Sequence, residues 1–472
     1  MAALLTYELM APLMFAGLVV FLIIGFPVAF SLVACGLAFA ILGIELGHFQ
    51  PAFLQGLPPR IFGILSNELL LAIPFFTLMG AILERSGLAE DLLDGMGQLF
   101  GSLPGGLGYA VILVGAVLGA ITGTVAASVL AMGMIAMPAM LRAGYDSRYA
   151  TGVIAASGTI TQIIPPSLVL IVLAEVLGKP VGDMYLGAIG PAFLQTLLFL
   201  AYTAATSILA PHKVPPLPDS SRTLHGFALA WAIIRAIIPS LGLMFLVLGT
   251  IFLGLATPTE AGAMGTVGAL ILAAANRRLT PTLLWQGMAT TMRITAMVVF
   301  ILIGATVFSL VFAGVDGGHW LEDQLRDLPG GTMGFLVFVN VFIFLLAFFL
   351  DFFEIAFIIL PLLLPTARAL DVDLVWFGVM ICANMQTSFM HPPFGFALFY
   401  VRSVTPPSVK TRDIYLGAIP FLLLQLVLVA VILVWPETVT TMLGRPALID
   451  PGTVTIDIAP GPSPADVPLL FD

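Results

Sequence analysis

The sequence predicts an all-α polytopic membrane protein built from two structural repeats, each with a re-entrant hairpin and a helix broken by a proline pair. Three observations predict it. The chain of 472 residues is 60% hydrophobic and only 9% charged, with a mean hydropathy of +1.11, whereas a soluble chain carries roughly a quarter charged residues. Apolar runs of about twenty residues, each long enough for a hydrocarbon core of about 30 Å, fill most of its length. Motifs then recur in the same order. Leu103-Pro104-Gly105-Gly106 returns as Leu328-Pro329-Gly330-Gly331 at an offset of 225, and Pro165-Pro166 as Pro392-Pro393 at 227. Tyr185-Leu186-Gly187-Ala188-Ile189 returns as Tyr415-Leu416-Gly417-Ala418-Ile419 at 230. Two related apolar bundles interrupted by Gly and Pro at matching depths are the mark of a secondary transporter, and the interrupted segments point to its binding site.

Residues 1–210 are read as repeat one, 211–235 as a linker, 236–436 as repeat two and 437–472 as a largely disordered tail. The first span has no basic n-region and no small-residue cleavage site, so it is expected to serve as the insertion signal. Residues 110–140 form one apolar run with Gly119-Ala120-Ile121-Thr122-Gly123-Thr124 near its centre. That run is too long for one untilted span and too short for two, so it reads as a hairpin whose tip turns back within the membrane. The next run is cut at Gly158-Thr159-Ile160-Thr161-Gln162-Ile163-Ile164-Pro165-Pro166-Ser167. Adjacent prolines remove two backbone donors and force the preceding residue out of helix, which frees carbonyl oxygens upstream. In hydrocarbon those carbonyls need partners, and a cation is one. A kink satisfied by neighbouring Ser or Thr is the structural alternative.

The linker holds four prolines within residues 211–218, and Lys213, Arg222 and Arg235 outnumber Asp219, which places it on the cytoplasmic side. The loop at residues 142–148 has two arginines and one aspartate, and its counterpart at 368–373 has one arginine and two aspartates. Opposite bias in equivalent loops favours inverted repeats, although the acidic loops near Glu90 and Asp316 do not discriminate. In repeat two the hairpin tip is Leu350-Asp351-Phe352-Phe353-Glu354, and the broken helix is Asn384-Met385-Gln386-Thr387-Ser388-Phe389-Met390-His391-Pro392-Pro393. The Pro-rich, polar segment from residue 444 predicts disorder.

Asp351 and Glu354 stand out because a carboxylate near mid-membrane costs roughly 2.5–3.5 kcal/mol even on lenient scales. They are read as ion or proton ligands, or as ordinary residues if the tip lies at the interface. Glu260 after Thr257-Pro258-Thr259 reads as a capped helix start. His391 is placed beside the break, with Phe389, Phe394 and Phe396 expected around its ring, an environment suited to an aromatic carboxylate. The other histidines make no metal-ligand spacing. Cys35 and Cys382 read as small hydrophobes. No Gly-rich Lys-Ser/Thr loop is present, which argues against an ATP-driven pump, and no Asp-rich cluster for a metal-diphosphate suggests an intramembrane transferase. Nothing points to nucleic acid.

The chain resembles the large membrane subunit, DctM type, of a tripartite ATP-independent periplasmic (TRAP) transporter. The resemblance rests on Gly25-Phe26-Pro27-Val28-Ala29-Phe30, the tip at 119–124, Ile164-Pro165-Pro166-Ser167, Ala256-Thr257-Pro258-Thr259-Glu260-Ala261 and Pro392-Pro393-Phe394-Gly395. The segment at 385–396 looks like the branch labelled mannitol/chloroaromatic, with Glu354 and His391 as departures from the commoner pattern. The resemblance implies a bacterial inner-membrane, multi-pass protein of the elevator type, no enzyme activity, and sodium-coupled uptake of a small organic acid. It implies two partners within the bilayer and periplasm: a small four-span membrane subunit and a substrate-binding protein. It implies no cofactor beyond Na⁺ as coupling ion. A first sodium site would use Thr122, Gly123, Thr124, Gly158, Thr161 and Pro165. A second would use Asp351, Glu354, Asn384, Thr387, Ser388 and Pro392. Gln162, Ser167, Gln386, His391 and Phe394 would line the substrate cavity. A stand-alone sodium- or proton-coupled carboxylate carrier is the alternative.

Overall fold

The computed structural model describes residues 7–443 except Gly123, residues 219–222 and 224–225, Asp327, Phe349 and Phe394; at Ile23, Leu88, Ala89, Ile121, Thr122 and Arg326 it describes the backbone only. Gly123, Phe394 and the tail from residue 444 therefore lie outside the described residues. Among the described residues every regular element is helical. Seven helices are long and apolar enough to cross a membrane, and an eighth crossing results if one bent pair counts as a single span.

Repeat one opens with α1 (Tyr7–Ile24) and α2 (Val28–Glu45), followed by the 3-10 turn Pro51–Gly56 and α3 (Leu57–Leu65). A 45° bend then leads into α4 (Ala72–Arg85). The bend falls at Ser66, whose Oγ donates back to Phe62 O at 2.8 Å, and Asn67, whose Oδ1 accepts from Leu69 N at 2.9 Å. Helix α5 (Leu88–Phe100) leads to the hairpin α6 (Gly106–Thr122) and α7 (Val125–Arg142), then to α8 (Ser147–Thr159), α9 (Leu168–Leu177) and α10 (Val181–Leu209).

Repeat two follows the same order. Helices α11 (Gly226–Phe252) and α12 (Pro258–Ala275) precede α13 (Pro281–Gly314), a single unbroken helix of 34 residues where repeat one has its bent pair. Thr257 and Glu260 cap α12 reciprocally, as the sequence predicts. After α14 (Gly317–Arg326) comes the second hairpin: α15 (Gly331–Leu346) and then α16 (Phe352–Glu354), which runs through a π turn (Ile355–Ile359) into α17 (Leu360–Ala369). Helices α18 (Leu374–Ser388), α19 (Phe396–Val404), α20 (Thr411–Val434) and α21 (Glu437–Thr440) complete the chain.

Two buried apolar clusters hold the molecule together, and each mixes the repeats. One joins α1, α2, α4 and α9 to α12, α13 and α15–α18. The other joins α5–α8 to residues of α10, α19 and α20. Helix α20 lies along α8, and α10 against α18, so the last helix of each repeat packs on the broken helix of the other.

The linker is shorter than the sequence suggests, because α11 already starts at Gly226. Residues 226–235 contain no proline, and Phe227 and Trp231 stack on its exposed face, as aromatic residues do at a membrane interface. The stretch before it is tied down: Val214 is fully buried, its carbonyl accepts from Gly105 N, and Lys213 O accepts from Asp146 N, both at 2.8 Å. At the other end, residues 437–440 are helical and Val439 is buried, so the folded part runs a little beyond the 436 boundary.

Candidate functional site: two broken helices facing two hairpins

Each broken helix starts on an aspartate. Asp146 Oδ1 accepts from Arg148 N (2.9 Å) and Tyr149 N (3.2 Å) to start α8, and Asp373 Oδ1 accepts from Trp376 N (2.8 Å) to start α18. Each helix also ends where its donors run out. After Thr159 the chain tightens into the 3-10 turn Ile160–Gln162 and passes the cis pair Pro165-Pro166 before α9 begins. After Ser388 it turns at Phe389 and Met390 and passes the cis pair Pro392-Pro393 before α19 begins. The helix interruption therefore has a local cause, the missing proline N–H groups.

In repeat one the hairpin presses closely on the break. A Cβ at Gly119 would stand 2.9 Å from Thr161 Cα, and one at Gly158 would stand 2.2 Å from Val129 Cγ2. Gly158 is thus a point of close approach between α8 and α7. Thr161 Oγ1 donates to Ser128 Oγ at 3.0 Å, which links break and hairpin through two hydroxyls. Thr124 occupies the start of α7 without a side-chain capping bond. Ser167, expected in the cavity, is committed elsewhere: its Oγ donates to Gln162 O at 2.5 Å and accepts from Val169 N at 3.2 Å, capping α9. A proline-broken helix needs its freed carbonyls satisfied, and Ser167 and Cys382, whose Sγ donates to the same oxygen at 3.4 Å, both do this.

In repeat two the corresponding contact is polar. Asn384 Nδ2 donates to Asn340 O (2.7 Å) and to Asn340 Oδ1 (3.0 Å) on α15, while Asn384 Oδ1 is buried without a partner. Thr387 Oγ1 donates to Asn384 O and Ser388 Oγ to Met385 O, both at 2.6 Å. Asp351 and Glu354 serve as a reciprocal cap of the hairpin's second arm: Glu354 N donates to Asp351 Oδ1 and Asp351 N to Glu354 Oε2, each at 3.0 Å. Their structural role is therefore visible.

His391 is 1% exposed, and among the described residues its ring meets partners other than the expected Phe389 and Phe396, while the expected Phe394 lies outside the described residues. It lies edge-on to Phe344 at 4.1 Å and stacks on Phe348 at 4.3 Å. Phe389 and Phe396 pair instead with each other at 6.3 Å. The break turns the ring toward the hairpin rather than along its own segment, a tertiary effect that sequence neighbours do not encode. Neither ring nitrogen has a hydrogen-bond partner, and the same holds for both amide atoms of Gln162 and of Gln386.

Among the buried polar residues that sequence reasoning missed are Ser128, Asn340, Gln195 and Gln425, which bear on the two breaks. Asn340 and the two glutamines were findable as lone amides inside otherwise apolar helices. Ser128 gave no signal beyond its place in the first hairpin. A cavity of about 510 Å³ lies apart from these residues, lined by Arg60, Asn67, Glu175, Thr306 and Ser309.

A family model described as "Tripartite ATP-independent periplasmic transporter, DctM component" matches residues 15–438. The chain belongs to this family. It is a DctM-type large permease subunit of a TRAP transporter, a multi-pass inner-membrane protein and not an enzyme. Among its relatives is the C4-dicarboxylate TRAP transporter large permease protein DctM of Pseudomonas aeruginosa, 29% identical over 81% of this chain and 88% of that one. The sialic acid permease SiaM of Vibrio cholerae is 28% identical over 88% and 93%. The 2,3-diketo-L-gulonate permease YiaN of Escherichia coli is 28% identical over 91% and 98%. In fold, the permease is similar to the YdaH transporter of Alcanivorax borkumensis (TM-score 0.59, 17% identity, 82% of this chain and 90% of that one).

Proposed function

We propose that this permease couples sodium ions to the uptake of a small organic acid, which a periplasmic binding protein delivers and which moves by an elevator-type displacement. A small four-span membrane subunit is its second partner. One observation carries the reading: at the two proline breaks, Gln162, Gln386 and His391 are buried with every side-chain polar atom unpartnered. Each such group costs about 1–3 kcal/mol in a dry interior. A carboxylate or hydroxyl guest, with waters, supplies what these donors and acceptors lack. Beside them stand neutral oxygen donors, the Thr161 and Ser128 hydroxyls at the first break and Asn384 Oδ1 with the Thr387 and Ser388 hydroxyls at the second. Hard, uncharged oxygens suit a monovalent alkali cation better than a strongly charged metal. The names of relatives, which include C4-dicarboxylate, sialic acid and 2,3-diketo-L-gulonate permeases, support an acid as cargo.

The site is tested by His391→Ala and Gln162→Leu, each assayed for expression, thermal stability and transport per folded molecule. Removing a group that touches the guest lowers transport roughly tenfold or more, the size of one lost hydrogen bond to a charged partner. A stable variant that transports normally removes that residue from the site.

A further inference from the structure

The last helix of each repeat carries one fully buried glutamine, Gln195 on α10 and Gln425 on α20, related by the offset of 230 that relates the two Tyr-Leu-Gly-Ala-Ile motifs. The role of Gln425 is visible. Its Nε2 donates across the repeats to Thr159 Oγ1 at 2.8 Å, on the last turn of α8 before the first proline break. Two turns earlier the same helices touch backbone to backbone. A Cβ at Gly152 would lie 2.1 Å from Gly417 O, and one at Gly417 would lie 2.0 Å from Arg148 O.

The mirror crossing, α10 on α18, uses equivalent positions. A Cβ at Gly187, the counterpart of Gly417, would lie 2.9 Å from Val439 Cγ1 on α21, and 3.2 Å from Val375 Cγ1 and 3.5 Å from Val379 Cγ2 on α18. Val375 and Val379 are the counterparts, at offset 227, of Arg148 and Gly152. Continuing along both helices from this shared contact, the residue equivalent to Thr159 is Gln386. Valine side chains fill the second crossing where the first has bare backbone, so the second gap is wider. A glutamine in place of a threonine provides the extra reach. Both amide atoms of Gln195 and both of Gln386 are buried and unpartnered.

We infer that Gln195 is a positioning residue: it reaches from repeat one to orient the Gln386 amide beside the second break, directly or through one bridging water, as Gln425 orients Thr159 beside the first. Each break is then held by the other repeat, and any relative shift of the repeats is felt at both ion sites. The functional part of this role rests on the proposed sodium site at residues 384–388.

The test uses the full chain in detergent. In a Cys35→Ala, Cys382→Ala background, Gln195→Cys with Gln386→Cys should be bridged by a short bifunctional thiosulfonate, whose spacer replaces the reach of the two amides, as the control Gln425→Cys with Thr159→Cys should. A control that links while the 195–386 pair does not would overturn the contact. In a thermal-unfolding cycle, Gln195→Leu and Gln386→Leu should each lower the midpoint, and the double variant should recover most of the loss, because removing both polar partners is nearly neutral whereas removing one orphans the other. Additive losses would overturn the pairing. The sodium concentration giving half-maximal thermal stabilisation should rise about tenfold in Gln195→Leu. A coupled cycle with unchanged sodium dependence would overturn the positioning role. An unmodified chain that sodium does not stabilise would instead overturn the sodium reading, while the cross-link still decides the contact.

Discussion

Proteoliposomes holding this permease with both partners are expected to accumulate its acid several-thousand-fold under an inward sodium gradient with the interior negative, and to accumulate none when choline replaces sodium. The size follows from the coupling. A tenfold sodium gradient supplies about 1.4 kcal/mol per ion, and a potential of about 100 mV supplies about 2.3 kcal/mol per net charge. Two ions moving with one monoanion carry one net charge and gain about 5 kcal/mol, which corresponds to an accumulation of several-thousand-fold. Two ions are proposed because the chain holds two breaks, each with its own set of neutral oxygens. The measurement is radiolabelled uptake across a panel of succinate, sialic acid, 2,3-diketo-L-gulonate and an aromatic acid, with sodium and potential set independently. Equal uptake in sodium and choline would remove sodium coupling. Uptake that survives in choline but collapses with a protonophore would move the coupling to protons and to Asp351 and Glu354.

The second large effect is silence of the isolated chain. Vesicles with this permease alone should show no saturable uptake, and adding the small membrane subunit and loaded binding protein should restore it by two orders of magnitude or more. The described residues from 7 to 443 are spent on helices and their short connections, and they include no separate soluble domain to gather dilute substrate. Gln162, Gln386 and His391 are closed off from solvent, so the permease must change conformation before a guest reaches them. Saturable uptake by the lone chain would support a stand-alone carboxylate carrier.

What the sequence disclosed depends on whether the cause was local. The breaks at 158–167 and 384–393 were legible because a missing proline N–H acts within one turn. The Thr257–Glu260 cap was legible for the same reason, since its partners lie three residues apart. The repeat was legible because its motifs kept their order. Partners chosen by tertiary packing were not. Nothing near His391 in sequence announces Phe344 and Phe348, which arrive from the first arm of the hairpin in its own repeat. Ser167 reads as a cavity hydroxyl in sequence, yet its Oγ bonds the Gln162 carbonyl freed by the prolines and caps α9. Asn340 pairs with Asn384 where repeat one has Gly115 against Ser157, so the two sites differ chemically in a way that motif matching passes over. The prolines before it and Arg235 at its end make 226–235 read as linker in sequence, yet its residues apart from Arg235 are apolar or small, and the segment is helical.

Whether the two broken helices of this chain bind sodium is decided by thermal unfolding of the purified permease in sodium chloride against choline chloride at equal ionic strength. A ligand that binds only the folded state stabilises it by about 2.7 kcal/mol at a hundred times its dissociation constant. Sodium should therefore raise the midpoint in a saturable way, with Asn384→Ala shifting the curve to higher sodium. Superimposable unfolding curves in sodium and choline across the whole concentration range would contradict the claim.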